Sequence, residues 1–473
     1  MTRKVKVAIV GAGTAGLNAM AQVRRVTEDF VLINGGPLGT TCARVGCMPS
    51  KVVIQVADDF HRRNIFPREG IEGGDHLNVN IEDAFEHVRD IRDILVDGVL
   101  SHSTDEMGDE FIDGYARFVE PGVLEVNGER IDAESIVLAV GSTPVVPKNW
   151  QSFGDRILTT DTLFELETWP ESIAVIGLGA IGLELGQALL RMGVNVTGFD
   201  VADAIGGIDD ADVAKVAIDI IGKEFPLHLG EPADISEAED GRLKVSAGDH
   251  TVIVDKVLVA MGRRSNLLNM DLDKAGITMR EDSLPEFNPN TLRVVGSRVF
   301  VAGDGDGYRQ ILHEAADEGR IAGYNAARSE VITFARTVPF AIAFTDPNIC
   351  HVGARVSELE ADTYVVGEIK FGPLGRALIM GKNKGLLKLY VRKIDGRLLG
   401  ASMVAPKGEN LAHLIAWSIE QNLTVRDMIA MPYYHPTIEE ALQSALRSAI
   451  GQLPELSEGK DYPLDLRPLH ELV

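Results

Sequence analysis

The chain has 473 residues, 45% of them hydrophobic. That is enough to bury more than one core, and the length predicts about three domains. With 46 basic against 70 acidic residues the net charge is −24, which argues against nucleic acid or an anionic membrane as partner. Only three cysteines occur, too few for a disulfide-stapled secreted scaffold, and a cytoplasmic location is expected.

The opening Met1-Thr2-Arg3-Lys4-Val5 leads directly into a strand, so no secretion signal is expected. Residues 4–10 form a short apolar strand. The turn Gly11-Ala12-Gly13-Thr14-Ala15-Gly16 follows, then a helix to about residue 25 and a strand over 30–33 that ends at Asn34.

Next comes Cys42-Ala43-Arg44-Val45-Gly46-Cys47, followed at once by Met48-Pro49-Ser50-Lys51. On an ideal helix, Cα atoms five positions apart lie about 8.7 Å from each other. A disulfide needs them within roughly 7 Å. A bridge here therefore requires a distorted backbone, which Gly46 permits, and strained bridges tend to be the reducible ones. Taken alone, the spacing fits two free cysteines near a helix start equally well. Pro49 favours a first helical turn, which puts Cys47 near a helix N-terminus, where thiol pKa values fall. Lys51 lies one turn further on the same face and adds positive charge.

The nucleotide-type pattern then recurs. Residues 173–176 form a strand, Gly177-Leu178-Gly179-Ala180-Ile181-Gly182 the turn, a helix runs to about residue 192, and a strand over 194–199 ends at Asp200. In both copies the polar residue ending the second strand stands 18 positions after the third glycine. A lone GxGxxG is weak, but strand, turn, helix and second strand at matched distance is the context of a dinucleotide fold. The glycines allow a tight turn and close approach of a pyrophosphate, and the helix N-terminus faces the phosphates. Two modules imply two nucleotides. Asp200 can accept from two ribose hydroxyls and would repel a 2′-phosphate, and no Arg or Lys follows before Asp212, so NAD is expected over NADP. The apolar run 173–190 contains Glu184 and four glycines and reads as strand plus helix, not a membrane span.

Two similar strands, one ending at Gly141 and one at Gly262, return the chain between modules. A third, over 298–302, ends in Gly303-Asp304, where the acid is either a ligand for sugar-like hydroxyls or a simple turn aspartate. Cys350 reads as a packed structural residue. Near the C-terminus, His435-Pro436-Thr437-Ile438-Glu439-Glu440 begins a helix with Pro436 in its first turn and Ile438, Leu442, Ala445, Leu446 and Ala449 on its buried face. A histidine at that cap can fold back toward Glu440, an arrangement suited to general acid/base work.

These five ordered motifs, spanning nearly the whole chain, resemble the flavin-dependent pyridine nucleotide-disulfide oxidoreductases (class I), with dihydrolipoamide dehydrogenase the nearest branch. The resemblance implies an α/β chain of two doubly wound, Rossmann-like dinucleotide-binding domains plus a C-terminal α+β dimerisation domain. FAD would occupy a discontinuous domain of residues 1–150 and 268–337, NAD a domain of 151–267, and residues 338–473 would form the interface. Carried over residue by residue, it implies that Gly11, Gly13, Gly16, Asn34, Lys51, Gly141 and Asp304 contact FAD. Gly177, Gly179, Gly182, Asp200 and Gly262 would contact NAD. Cys42 would be the thiol that meets the substrate and Cys47 the thiol against the flavin, with Lys51 paired to Glu184 beside it. His435 with Glu440 would supply the proton, reaching the cysteines of the other subunit of a homodimer. The implied reaction passes electrons between NAD(H), FAD, a Cys42–Cys47 disulfide and a dithiol/disulfide substrate. Lipoamide is the first candidate, and a 2-oxo acid dehydrogenase complex the assembly it would serve. Another disulfide, a metal ion, or a quinone or dye are the alternative acceptors, and no resident metal is expected. The chain departs from the family pattern at Asn34, Thr40, Arg44, Tyr433 and Tyr434.

Overall fold

The computed structural model describes residues 2–453 and residue 466. Of five sheets among the described residues, the three largest, of seven, five and five strands, form the frame. The rest of the expected C-terminal unit, residues 454–465 and 467–473, lies outside the described residues.

The first sheet has seven strands. Strand β1 (Thr2–Val10) lies between β2 (Phe30–Asn34) and the strand Glu129–Leu138, parallel to both. The strand Val299–Val301 returns from much later in the sequence to pair with Glu129–Leu138. Burial on both faces explains the apolar runs: Phe30 through Ile33 are all buried, as parallel sheets require. Helix α1 (Thr14–Val23) crosses the helix Leu312–Ala326 at glycines. A Cβ on Gly319 would lie 2.1 Å from the Ala15 carbonyl oxygen, and one on Gly323 2.3 Å from that of Ala19. The two helices approach closely because those side chains are absent.

The second sheet repeats the plan with five strands. Ser172–Ile176 pairs parallel with Asn195–Asp200 and with Lys256–Val259. The apolar run over 173–190 is thus a strand followed by the helix Ala180–Arg191. Among the described residues no helix is long and apolar enough to cross a membrane. The third sheet is antiparallel and runs from Phe340–Ala343 through Asn348–Gly353, Leu398–Ala405 and Leu386–Arg392 to Tyr364–Lys370. The helices Gly408–Glu420 and Glu440–Ile450 pack on it around Leu411, Ile415, Leu442 and Leu446.

One core crosses the units. Val53, Ala57 and Phe85 pack in the same buried cluster as Leu183, Leu185 and Leu189 of Ala180–Arg191, together with Ile349 and Val404 of the third sheet. Arg191 fastens the same place with charge. Its guanidinium, 4% exposed, lies 2.6 Å from Asp58, 2.9 Å from Glu224 and 3.4 Å from Asp346. This packing sets the helix that begins at Cys47 against the helix of the second nucleotide module.

Ile438, Leu442, Ala445, Leu446 and Ala449 are buried, the face the sequence predicts. The helix start differs: it begins at Glu440, not at Pro436. The Glu440 carboxylate accepts from the Thr437 N–H at 3.0 Å and holds residues 435–439 in a turn ahead of the helix.

Candidate active site

A cavity of about 280 Å³ opens where the first two sheets meet the third, and it is lined by Gly13, Cys42, Cys47, Lys51, Glu184 and Asp304 among others. Two consecutive helices deliver the cysteines. Helix α2 (Thr41–Val45) carries Cys42 and helix α3 (Cys47–His61) starts at Cys47. The break falls at Gly46, whose backbone is non-helical (φ −126°, ψ −119°). A Cβ at Gly46 would sit 3.2 Å from the Cys42 Cα, so a larger residue would push the two thiols apart. Thr40 precedes α2 at φ 64°, ψ 149° and accepts from the Ala43 N–H at 3.2 Å. That left-handed geometry is costly for a β-branched residue. The two thiols are unbridged in the structure.

The thiols differ in character. A hydrogen bond from the Cys42 S–H pulls Cys47 down to about 7; burial opposes this, and the Lys51 ammonium adds to it. The same hydrogen bond, with burial, pushes Cys42 up. Of the pair, Cys47 is the more readily ionised thiol and Cys42 its donor. Lys51 Nζ lies 2.6 Å from Glu184 Oε2, across 133 residues of sequence, and the Glu184 side chain is 6% exposed. Cys350 is buried in the third sheet and pushed up by burial, with no part in the cavity.

The remaining expected residues fall into distinct groups. Gly13 and Gly141 line the cavity, and so does Asp304, whose carboxylate accepts from Ser142 Oγ at 2.9 Å. Arg263 donates to that same Ser142 hydroxyl at 2.8 Å and stands 3.7 Å from Asp304. Ser142 and Arg263 were not expected; each directly follows a strand-ending glycine or its successor, and that position is the only sequence signal. Asn34 and Asp200 do equivalent work in the two modules. Asn34 Oδ1 accepts from the Ala12 N–H at 2.9 Å and Asp200 Oδ2 from the Leu178 N–H at 2.5 Å, each the second residue of its glycine turn. Gly262 ends the return strand at φ 97° and does not line the cavity.

Each turn contains both a tightly packed glycine and an open one. Cβ atoms on Gly16 and Gly182 would lie 1.8 Å and 1.9 Å from the carbonyl oxygens of Gly11 and Gly177, whereas Gly13 and Gly179 face open space. Gly13 and Gly179 also cap their helices without a side-chain hydrogen bond. Each helix therefore presents first-turn N–H groups and its positive dipole end to an approaching anion.

His435 and Glu440 are brought together, Nδ1 to Oε1 at 2.9 Å. The hydrogen bond to His435 holds the Glu440 carboxyl below the usual range. They do not join the cavity. The His435 side chain is 80% exposed and does not line the pocket that holds its own chain's cysteines.

Two glycine-rich nucleotide turns, a cysteine pair with one thiol activated, and a buried carboxylate–lysine pair beside it define a dinucleotide-dependent thiol–disulfide catalyst. Residues 5–319 match the model for the pyridine nucleotide-disulphide oxidoreductases and residues 339–446 the model for the dimerisation domain of the same proteins. The chain belongs to the pyridine nucleotide-disulphide oxidoreductase family, whose members use FAD and NAD(H). It is 28% identical to dihydrolipoyl dehydrogenase 2 of Haloarcula marismortui, over 96% of this chain and 98% of that one. It is 29% identical to the dihydrolipoyl dehydrogenase of Halobacterium salinarum, over 94% and 96%. Among solved structures, LpdA of Mycobacterium tuberculosis matches with a TM-score of 0.82 at 23% identity. The Cu(II) complex of the HOCl-induced flavoprotein disulfide reductase RclA of Escherichia coli matches at 0.80 and 21%. Each covers 94% of this chain and 99% of its own.

Proposed function

We propose that the chain transfers electrons between NAD(H) and a dithiol/disulfide substrate through Cys42 and Cys47, with dihydrolipoamide/lipoamide as that substrate. The observation that carries the reading is the convergence of Cys42, Cys47, Lys51 and Glu184 on one cavity with Gly13 of the first glycine turn, and the lowering of Cys47 by Cys42 and Lys51 agrees with it. When bound, FAD supplies the link through which NAD(H) and the thiols exchange an electron pair. Gly11, Gly13, Gly16, Asn34, Gly141 and Asp304 would hold it, and Gly177, Gly179, Gly182, Asp200 and Gly262 would hold NAD(H).

In the reducing direction, Cys42 gives its proton to a base and its sulfur attacks one sulfur of the substrate disulfide. A mixed disulfide forms, the substrate S–S bond breaks, and the departing thiolate takes a proton. Cys47 then attacks the Cys42 sulfur. The second substrate sulfur leaves as a thiolate and takes its proton from water, and Cys42–Cys47 becomes the disulfide, so the substrate has gained two electrons and two protons. Lys51, held by Glu184, keeps Cys47 charged for its attack. His435, oriented by Glu440, serves as the base and proton donor. Its exposure, away from its own chain's cysteines, supports a homodimer in which it works on the partner subunit. The opposite direction, dithiol oxidation with NAD+, uses the same groups. Low cysteine content and paired thiols support a cytoplasmic site, and a lipoyl-bearing 2-oxo acid dehydrogenase complex fits as the source of substrate.

Steady-state rates with lipoamide and a small panel of other disulfides, each with NADH and NADPH, test this. The expected result is lipoamide turnover with NADH preferred, abolished in Cys42→Ser while dye reduction by NADH persists. An unchanged physiological rate in Cys42→Ser would remove the reading in favour of a quinone or dye reductase. Turnover of a different disulfide alone would replace the substrate.

A further inference from the structure

The Lys51–Glu184 pair joins the first two nucleotide modules, but a residue of the third sheet touches both its members. Phe344 immediately follows the strand Phe340–Ala343. Its backbone N–H donates to Glu184 Oε1 at 2.8 Å. Its ring faces Lys51 Nζ at 4.6 Å from the centroid. Glu184 thus spends one oxygen on Lys51 and the other on Phe344. The Lys51 ammonium lies between a carboxylate and an aromatic face. Neither contact alone would fix the ammonium, because a lysine stem is long and flexible. Together they hold it from two directions.

We propose that Phe344 is a positioning residue for the reaction, which acts by holding the Lys51 ammonium over the Cys42–Cys47 pair. This rests on the disulfide-exchange reading of the site. The third sheet's unit thereby enters the chemistry through its own chain, separately from His435. A ring within about 6 Å of a cation favours the charged form and its placement, most strongly where water is partly excluded. The Lys51 side chain is 33% exposed, so without the ring the ammonium can swing toward water and its field at Cys47 weakens. The groups that set the charge on Cys47 are Cys42, Lys51 and Glu184, and Phe344 touches two of these three.

The test is a thiolate titration of the FAD-loaded protein in a Cys42→Ser background, followed by ultraviolet absorbance. The serine hydroxyl keeps a donor to Cys47, and Cys350 is buried and pushed far above the working range. F344L, which keeps the backbone N–H, is expected to raise the Cys47 midpoint by about half a pH unit. F344W, which keeps an aromatic face, is expected to leave it within error of the parent. In a Lys51→Gln background F344L is expected to have no further effect. Coincident curves for F344L and its parent would overturn the proposal, and so would an equal F344L shift with and without Lys51. Should F344L not fold, a F344W midpoint shifted upward like that of Lys51→Gln would overturn it on its own. The titration reads no turnover, so it stands apart from the disulfide and dye assays that decide the function.

Discussion

His435 Nδ1 meets Glu440 Oε1 at 2.9 Å while four-fifths of the histidine side chain stays open. If this pair is the acid/base proposed above, its reaction centre must be brought to it by a partner subunit. Co-expression of Cys42→Ser and His435→Gln subunits checks this. In a mixed dimer one site would combine an intact Cys42 with an intact His435 from the other chain. About half of the wild-type rate per dimer is expected from purified heterodimers, where each parental homodimer is inactive. If the pair served its own chain's cysteines, the heterodimer would be as dead as its parents.

The charge on Cys47 should depend first on Cys42. The Cys42 S–H is the largest influence lowering Cys47 to about 7. The sign follows directly: a lowered thiol is thiolate above about pH 7, and loss of the donor moves that boundary upward. Cys42→Ala is expected to raise the midpoint by about one unit, a loss of roughly fivefold in thiolate at pH 7. Cys42→Ser should move it less. Thiolate absorbance against pH measures both.

The two classes of glycine in the first turn should fail differently. A Cβ on Gly13 meets nothing within 4 Å, whereas one on Gly16 falls 1.8 Å from the Gly11 oxygen. Gly13→Ala is expected to fold normally and to lose most of its flavin, because only the approach of the pyrophosphate is obstructed. Gly16→Ala is expected to lose soluble folded protein, because α1 can no longer sit on β1. Flavin-to-protein absorbance ratio and far-ultraviolet circular dichroism separate the outcomes.

Arg191→Met would leave Asp58, Glu224 and Asp346 facing one another at a site where the arginine is 4% exposed. Asp346 keeps Lys382 at 3.0 Å and the three carboxylate side chains are 20–37% exposed, so the loss costs about 1–3 kcal/mol. The midpoint of urea unfolding should fall accordingly. Arg191→Lys, which keeps the charge but not the forked geometry, should lose less. Equal midpoints for wild type and Arg191→Met would show that the cluster adds nothing.

Much of this site is legible in the sequence because its parts are local. Each glycine turn, its helix and the polar residue that binds back to it lie within one βαβ segment, so Gly16–Asn34 and Gly182–Asp200 carry the same spacing. Cys42, Cys47 and Lys51 lie within one helix–break–helix passage for the same reason. The Lys51–Glu184 contact is not local, and only the resemblance of the ordered motifs to a family pointed to it. Phe344 left no such trace, since its contacts arise where the third sheet meets the first two, and Ser142 and Arg263 come together only across a separate two-stranded ladder. At residues 435–439 a sound local rule gave the wrong boundary. Proline does suit a first helical turn, but the Glu440 carboxylate takes the Thr437 N–H and delays the helix by four residues.

The Arg191 cluster also bears on motion. Hinge closure of whole domains runs on microsecond to millisecond timescales and needs an interface that can open. Here one guanidinium is shared among Asp58, Glu224 and Asp346, and a continuous apolar core runs beside it. Swinging the second nucleotide module away would break the contacts to Asp58 and Asp346 and part that core at once. A nucleotide reaching the cavity therefore meets an already closed frame.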